Sequence, residues 1–322
     1  LKLKPPQSIL RAHGYHNFLR REIHGCLGLI QVAEMLFLGV VTRAVGNIAR
    51  PVAGQTVERI YGVEFLSLLS PEWDLLAQPS QGDSEAYRDS QSAQEAAVMS
   101  HPCEDLRKLL LNGSFYFSND FDLTSLLQNR GVDSVDSAAL THSQTEYMWN
   151  SFMMQELVMF RLNLETFARD ALDKSRIFTL VIRGFAKTVP ISPSDSLTII
   201  SKQLWKRAGT RYNARGIDDD GNVANFVETE LIFDNQLKQQ VYAFNQVRGS
   251  VPAFWEQDST LINPKITRTR SAGATQPVFD KHFGDLSQRY GGVHVVNLLL
   301  KTKSAEVSLL RRYSELYRNL TH

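Results

Sequence analysis

Two kinds of hydrophobic pattern alternate along the chain. The first is of the β type: Gly25 to Val41 consists of two apolar stretches separated at residues 33 and 34, which predicts a β-hairpin. Ile60 to Leu69 mixes β-branched, aromatic and leucine residues and predicts a further strand. The β pattern returns in Ile177 to Val189 and in Leu197 to Leu204, which predict two more strands.

Helical periodicity dominates between these β regions. A short helix is predicted from Pro102 to Asn112. Ser143 and Glu146 have capping-box spacing and predict the start of one long amphipathic helix. Its apolar residues recur at intervals of three and four: Trp149, Met153, Leu157, Phe160, Leu164 and Phe167. We interpret the methionines of this helix as core packing, and a cofactor pocket is the alternative.

The second half of the chain alternates strands with helices. Strands are predicted over Val223 to Phe233, Val241 to Arg248 and Val293 to Leu300, and helices over Val278 to Tyr290 and Ala305 to Leu320. Such alternation predicts an α/β fold, mixed α+β over the whole chain. We place a domain boundary between residues 1–176 and residues 177–322, with a flexible, serine-rich insert at residues 77–100.

Composition narrows the class of protein. The 322 residues are 43% apolar and 21% charged, as is usual for globular chains, and a net charge of +1 argues against nucleic-acid binding. Cys26 and Cys103 have neither a disulfide framework nor zinc-site spacing, so we expect no metal and no other cofactor. The longest apolar run, Cys26 to Val41, contains polar interruptions, so no transmembrane helix is expected. The chain starts at Leu1 without a signal-peptide pattern and stops at His322 after a helical pattern, and we expect a fragment.

The densest charge lies between Lys206 and Glu230. Arg207, Arg211 and Arg215 alternate with glycines in this stretch. Guanidinium groups bind phosphate oxygens in a bidentate manner, and glycines let backbone N–H groups approach a ligand. The stretch therefore predicts a phosphate-binding wall. A solvated hairpin whose arginines pair with Asp218 to Asp220 explains the same composition, and the residues alone leave both interpretations open.

The acidic turn after these arginines is not a calcium loop. With Gly221 at the required glycine position, the first and twelfth positions are Gly216 and Val227, where acids are needed. Asp218 to Asp220 with Asn222 instead predicts a tight turn whose side chains bond to the backbone.

The next strand and turn add further candidate residues. Asn225 falls on one strand face, and Glu228 and Glu230 fall on the other. We favour these glutamates as groups that orient Arg211, Arg215 or Arg248, and a structural ion pair or an acid and base are the alternatives. The turn from Arg248 to Trp255 is rich in donors and includes Ser250.

These segments carry a specific resemblance. WKRAGTRYNARGIDDDGNVANFVETE, with VRGSVPAFWEQ, resembles the signature region of the Sac-domain phosphoinositide phosphatases, and in particular their fungal synaptojanin-like members. HGCLGLIQV, FYFSNDFDLT, MWNSFMMQEL, VIRGFAKTV, TQPVFDKHF and YGGVHVVNLL extend the similarity over nearly the whole chain. The resemblance implies a β-rich N-terminal Sac subdomain packed on an α/β catalytic subdomain, which is incomplete here.

The resemblance also implies a function. Members of the family hydrolyse monophosphates of phosphatidylinositol lipids, such as phosphatidylinositol 4-phosphate, at membranes and in trafficking and endocytosis. The implied partners are these lipids at an anionic membrane surface, the remainder of the Sac domain and a C-terminal 5-phosphatase domain. The expected headgroup-binding or site-supporting residues are Arg207, Arg211, Arg215, Asn222, Asn225, Glu228, Glu230, Arg248, Ser250 and Trp255.

The family's catalytic loop is missing from the chain. Its nucleophile is a cysteine in a Cys-x5-Arg motif, but Val32 follows Cys26 by six residues and Leu109 follows Cys103 by six. No catalytic residue is therefore expected in this chain, which alone should be inactive although the parent protein is a phosphatase. The alternative function is a catalytically silent phosphoinositide-binding or scaffold module. An unrelated hydrolase that uses Glu228 and Glu230 is a more remote one.

Overall fold

The computed structural model describes residues 23–32, 34–69, 101–130, 146–210, 213–258, 265–299 and 304–320. Three sequence-based predictions lie outside these residues: the insert at 77–100, the helix start at Ser143 and the phosphate-binding role of Arg211.

An eight-stranded sheet dominates the described part of the chain. Its strands follow one another in chain order: β1 (Gly25–Val32), β2 (Met35–Ala49), β3 (Val57–Ser67), β4 (Phe115–Phe117), β5 (Ile182–Pro190), β6 (Asp195–Gln203), β7 (Val227–Asn235) and β8 (Gln240–Arg248). A separate short hairpin joins β9 (Trp255–Gln257) to β10 (Ile266–Arg268). Most predicted strands are therefore confirmed.

Five α-helices occur in the described residues: α1 (Glu104–Leu110), α2 (Ser151–Leu162), α3 (Thr166–Ser175), α4 (Ala272–Tyr290) and α5 (Ser304–Arg318). Together with the sheet they confirm the predicted mixed α/β class. None of the helices in the described ranges is both long and apolar enough to cross a bilayer.

The β1–β2 hairpin forms where the polar interruption predicts it. Val32 pairs with Met35, and Glu34 adopts a left-handed φ of 65° in the turn. Gly28 interrupts the pairing of β1 at a bulge, with a φ of 115°. A side chain at Gly28 would collide with the backbone carbonyl of Met153, so this glycine lets α2 approach the sheet closely.

Alternate residues of β4 point into different cores. Phe115 and Phe117 belong to a cluster with Phe37 and Met153, whereas Tyr116 belongs to a second cluster on the other side. The second cluster includes Phe121, Leu123, Ile182, Ile200 and Ile232. The sheet thus buries apolar side chains on both faces.

The single long helix predicted from residue 143 is wrong in its extent. The helix begins only at Ser151, because the side chain of Asn150 connects β1 with the segment before β5. Its nitrogen donates to the carbonyls of Leu27 and Thr179, and its oxygen accepts from the Val181 N–H. The helix then breaks before Thr166, where α3 starts. Met148, Met153 and Met154 are buried, as core packing predicts, but Met159 is exposed.

The strand predicted over Val293 to Leu300 does not form in its described part, residues 293–299. Val296 is 78% exposed and Leu298 is 86% exposed. A strand requires a hydrogen-bonding neighbour, and the described residues supply none here, so β-propensity alone does not produce a strand.

The chain divides into two compact units. One comprises Leu1–Ile200 with Leu231–Ala243, and the other comprises Ser201–Glu230 with Phe244–His322. The domain boundary that the sequence places at residue 177 stays a prediction. All ten candidate residues lie in the second unit.

Candidate functional site

The structure confirms that Asp218 to Asn222 form a tight turn in which a side chain bonds to the backbone. The Asp218 carboxylate accepts hydrogen bonds from the N–H groups of Asp220 at 3.0 Å and Asn222 at 2.8 Å. The Asn222 side-chain nitrogen also donates to this carboxylate, at 3.1 and 3.2 Å. Ile217 and Val223 form a β-bridge across the turn. Asn222 therefore stabilises the loop from within.

Asn225 holds the preceding segment in place. Its side-chain oxygen accepts from the Gly209 N–H at 3.2 Å and from the Gln203 amide at 3.1 Å, while its own N–H donates to the Arg207 carbonyl at 3.3 Å. Asn225 and Arg207 both adopt left-handed φ angles, 52° and 50°. The shape of the loop thus depends on Asn225. Strand β7 starts only after it, at Val227 rather than at the predicted residue 223.

Two motifs that are distant in sequence meet at Gly216. Its N–H donates to the Ser250 hydroxyl at 2.9 Å, and the Ser250 N–H donates to the Ala224 carbonyl at 3.0 Å. Gly216 has a φ of 70°, and a Cβ there would lie 2.6 Å from the Ala253 carbonyl oxygen. Only glycine permits this close approach. The structure therefore brings the segment around Gly216 against the turn from Arg248 to Trp255.

Two arginines of the loop, Arg207 and Arg215, are connected to each other and to Trp255. Arg207 donates from Nη2 to the Arg215 carbonyl at 2.5 Å. The Arg215 Nε donates to the Gln257 side chain at 2.9 Å, and its guanidinium lies 5.5 Å from the centre of the Trp255 ring. Arg248 is exposed at the end of β8. The structure thus brings Arg207, Arg215 and Trp255 together, and their binding of phosphate stays a prediction.

An ion pair that the sequence did not indicate fixes the outside of the acidic turn. Arg270 donates through both terminal nitrogens to the Asp219 carboxylate, and its guanidinium stacks 3.8 Å from the centre of the Phe254 ring. The hydrogen bonds from Arg270, aided by its charge, lower the pKa of Asp219. The solvated-hairpin alternative paired the loop's own arginines with these acids, but the partner of Asp219 comes from residue 270, before α4.

Glu228 and Glu230 are buried on the inward face of β7. The Glu228 carboxylate lies 2.6 Å from the Lys202 ammonium and accepts from the Tyr290 hydroxyl at 2.5 Å. The Lys202 side chain is only 1% exposed. These partners are a lysine and a tyrosine, whereas the sequence favoured an arginine. The sequence contained one indication that Lys202 is buried. Lys202 follows Ile200 by two residues, so both side chains lie on the inward face of β6.

A buried histidine lies behind the acidic turn. The Nδ1 of His282 is 3.0 Å from the Gly221 carbonyl oxygen, and its ring packs edge-on against Phe226. Burial lowers the pKa of His282, and the hydrogen bond to Gly221 partly opposes this effect. His282 is therefore a neutral packing group near pH 7, and the sequence analysis missed it.

The chain's two cysteines are not activated nucleophiles. Both are buried thiols in the first unit. Burial raises the pKa of Cys26, and burial raises the pKa of Cys103 to about 11. A nucleophilic cysteine needs a lowered pKa, because the thiolate is the reactive form. The two cysteines therefore do not supply a nucleophile. The described residues of the loop can still contribute charged groups to a binding surface.

Comparison with known proteins gives one family over nearly the whole chain. The family described as SacI homology domain matches residues 24–322. The chain is 48% identical over 316 residues to polyphosphatidylinositol phosphatase INP53 of Saccharomyces cerevisiae, covering 97% of this chain and 28% of that protein. It is 42% identical over 306 residues to inositol-1,4,5-trisphosphate 5-phosphatase 1 of Schizosaccharomyces pombe, covering 93% of this chain and 28% of that protein.

Animal relatives match more distantly. Human synaptojanin-2 is 34% identical over 245 residues, covering 73% of this chain and 15% of that protein. The chain therefore spans between about a seventh and about three tenths of the length of these relatives.

Proposed function

Because the chain belongs to the SacI homology domain family, as its sequence predicts, we propose that it is the N-terminal part of an enzyme that removes phosphate from phosphatidylinositol lipids such as phosphatidylinositol 4-phosphate. The relatives include a polyphosphatidylinositol phosphatase, an inositol-1,4,5-trisphosphate 5-phosphatase and a synaptojanin. The substrate, the cysteine nucleophile and a role in membrane trafficking and endocytosis are parts of this proposal.

The observation that carries the proposal is the ordered loop around Gly216. Its close contact with Ser250 and the stacking of Arg215 beside Trp255 join the two signature segments of the family. The N–H groups of Gly216 and Gly209 bond within the protein and hold the loop in shape. The guanidinium groups of the loop are the proposed phosphate ligands, because they bind phosphate oxygens in a bidentate manner. We assign Arg207, Arg211, Arg215 and Arg248 to headgroup recognition, and Asn222, Asn225, Glu228, Glu230, Ser250 and Trp255 to support of that site.

The nucleophile is proposed to belong to a part of the parent protein that is not in this chain. Thiolate attack on phosphorus requires an ionised cysteine, whereas Cys26 and Cys103 are buried and have raised pKa values. The chain by itself then binds lipid headgroups but does not hydrolyse their phosphate esters. In the parent protein, the remainder of the Sac domain and a C-terminal 5-phosphatase domain would accompany it, acting peripherally at a membrane.

One observation favours a second candidate, a catalytically silent module that binds phosphoinositides or proteins. The chain contains two cysteines, and neither is placed or ionised as a nucleophile. If the parent protein also lacks a Cys-x5-Arg loop, the same arginines would bind lipid headgroups without hydrolysis.

The two candidates are separated by measuring phosphate release from vesicles that contain phosphatidylinositol 4-phosphate. We expect no release by the purified chain and measurable release by the full parent protein. In the parent protein, Arg211→Ala and Arg248→Ala should lower kcat/KM by at least about tenfold, since a charge-assisted hydrogen bond contributes about 1.5–3 kcal/mol.

The control variant is Lys2→Ala, a cation outside the proposed wall, which should leave kcat/KM unchanged. Turnover by the chain alone contradicts the assignment of the nucleophile. Equal effects of the lysine and arginine variants, at unchanged melting temperature, contradict the arginine wall. A parent protein that binds these vesicles without releasing phosphate supports the silent module instead.

A further inference from the structure

Among the residues that the structure describes, one face of the eight-stranded sheet is covered at one end and left open at the other. At the covered end, Phe115 packs in the cluster that contains Met153 of α2. Phe115 pairs with Arg183 of β5, and alternate residues of a strand share a face. Phe185 and Val189 therefore continue the face of Phe115 along β5, and they are 46% and 47% exposed.

The next strands extend the same open face. Ala186, Ile200 and Ile232 lie together in the core on the opposite side. Their neighbours Ile199 of β6 and Leu231 of β7 therefore point to the open side, and both are half-buried.

The edge strand β8 completes the surface. The ring of Phe233 lies 6.3 Å from that of Tyr242, which is 58% exposed. We call the surface formed by Phe185, Val189, Ile199, Leu231, Phe233 and Tyr242 the open face. All six residues belong to the first compact unit.

The charges around the open face are mostly positive. Lys187 is exposed between Phe185 and Val189, and Lys238 is exposed in the turn between β7 and β8, beside Leu237. Among the described residues of this unit between β5 and β8, Asp195 is the one carboxylate on the side of the open face. It accepts a hydrogen bond from Ser192 at 2.8 Å. Asp234 is buried on the opposite face.

We propose that the open face docks the protein on an anionic lipid membrane. The inference rests on the proposed function, since an enzyme that acts on phosphoinositides has to approach a bilayer. The composition favours lipid over a protein partner, because protein interfaces are depleted of lysine at their centre. Aromatic side chains with lysines beside them match the boundary between acyl chains and anionic headgroups.

The chain's cysteine content allows a direct test. Cys26 and Cys103 are buried, so a single introduced cysteine can be labelled with an environment-sensitive fluorophore. Leu237→Cys places the label in the turn beside the open face. Phe152→Cys is the control, because Phe152 is an exposed aromatic residue of α2 in the same unit.

The probes are vesicles of phosphatidylcholine alone and of phosphatidylcholine with phosphatidylserine. We expect the emission of the label at residue 237 to shift to the blue only with phosphatidylserine, and the label at residue 152 to show no shift. In co-sedimentation, Lys187→Gln and Lys238→Gln should each weaken binding about fivefold. Tyr242→Ser should weaken it as well, with an unchanged melting temperature.

Three results would overturn the proposal. One is no blue shift at residue 237, and another is an equal shift at residue 152. The third is a shift at residue 237 that appears without vesicles as the protein concentration rises, which would show that a second copy covers the face. Neither vesicle contains a phosphoinositide, and hydrolysis of a soluble short-chain phosphoinositide by the parent protein does not need docking. Failure of docking is thus distinguishable from failure of the proposed function.

Discussion

Replacement of Lys202 by methionine tests how much an uncompensated buried carboxylate destabilises the second unit. Lys202 and Glu228 have side chains only 1% and 2% exposed, and their charged atoms lie 2.6 Å apart. The Lys202→Met variant leaves the Glu228 carboxylate buried with Tyr290 as a hydrogen-bond donor but without this cation. Removal of one partner of a buried pair costs about 3–5 kcal/mol, a large part of a typical total stability of about 5–15 kcal/mol.

The same physics predicts that removal of the whole group costs much less. In the triple variant Lys202→Met, Glu228→Leu and Tyr290→Phe, no buried charge is left uncompensated among these three positions. Replacement of buried ionic groups by apolar side chains of similar volume is often neutral or stabilising. We therefore expect the triple variant to lose less than about 2 kcal/mol.

Urea unfolding followed by tryptophan fluorescence measures these changes, because Trp205 and Trp255 lie in the same unit as the pair. Lys265→Met is the control, since Lys265 is exposed in this unit and its replacement should stay within about 0.5 kcal/mol. A loss below about 1 kcal/mol for Lys202→Met would refute the reasoning. So would a triple variant that is as unstable as the single one.

Two further predictions concern the loop and its support. Burial lowers the pKa of His282 below its ordinary 6.5, so as the pH falls the unfolded chain binds a proton before the folded chain does. The melting temperature should therefore fall from about pH 7 to about pH 5, and His282→Gln should flatten this slope; an unchanged slope would contradict the assignment. Gly216→Ala should cost about 1–3 kcal/mol more than Gly113→Ala. Both glycines have positive φ, but only at Gly216 does the new Cβ meet a neighbour within 4 Å. Equal melting temperatures for the two variants would show that the collision is relieved at no cost.

The sequence by itself determined the family, the fold class and most of the strands. Local patterns suffice for these features: alternation marks strands, and Gly221 with the acids before it marks a turn. The same local patterns failed at residues 293–299. This segment has β-propensity, but the described residues provide no neighbouring strand with which it could pair. They also failed at Asn150, whose bonds to β1 and to the segment before β5 delay the start of α2.

Only the tertiary structure decided which candidate residues meet and which partners they have. The sequence placed Gly216 and Glu228 in a densely charged stretch and Ser250 in a donor-rich turn. It did not indicate that Gly216 bonds to Ser250 or that Glu228 pairs with Lys202. It also did not indicate that Arg270 pairs with Asp219 across 51 positions. The physical reason is that hydrogen bonds and ion pairs depend on distances of about 3 Å between groups. Separation along the chain does not determine such distances, whereas the pairing of strands and the packing of helices do.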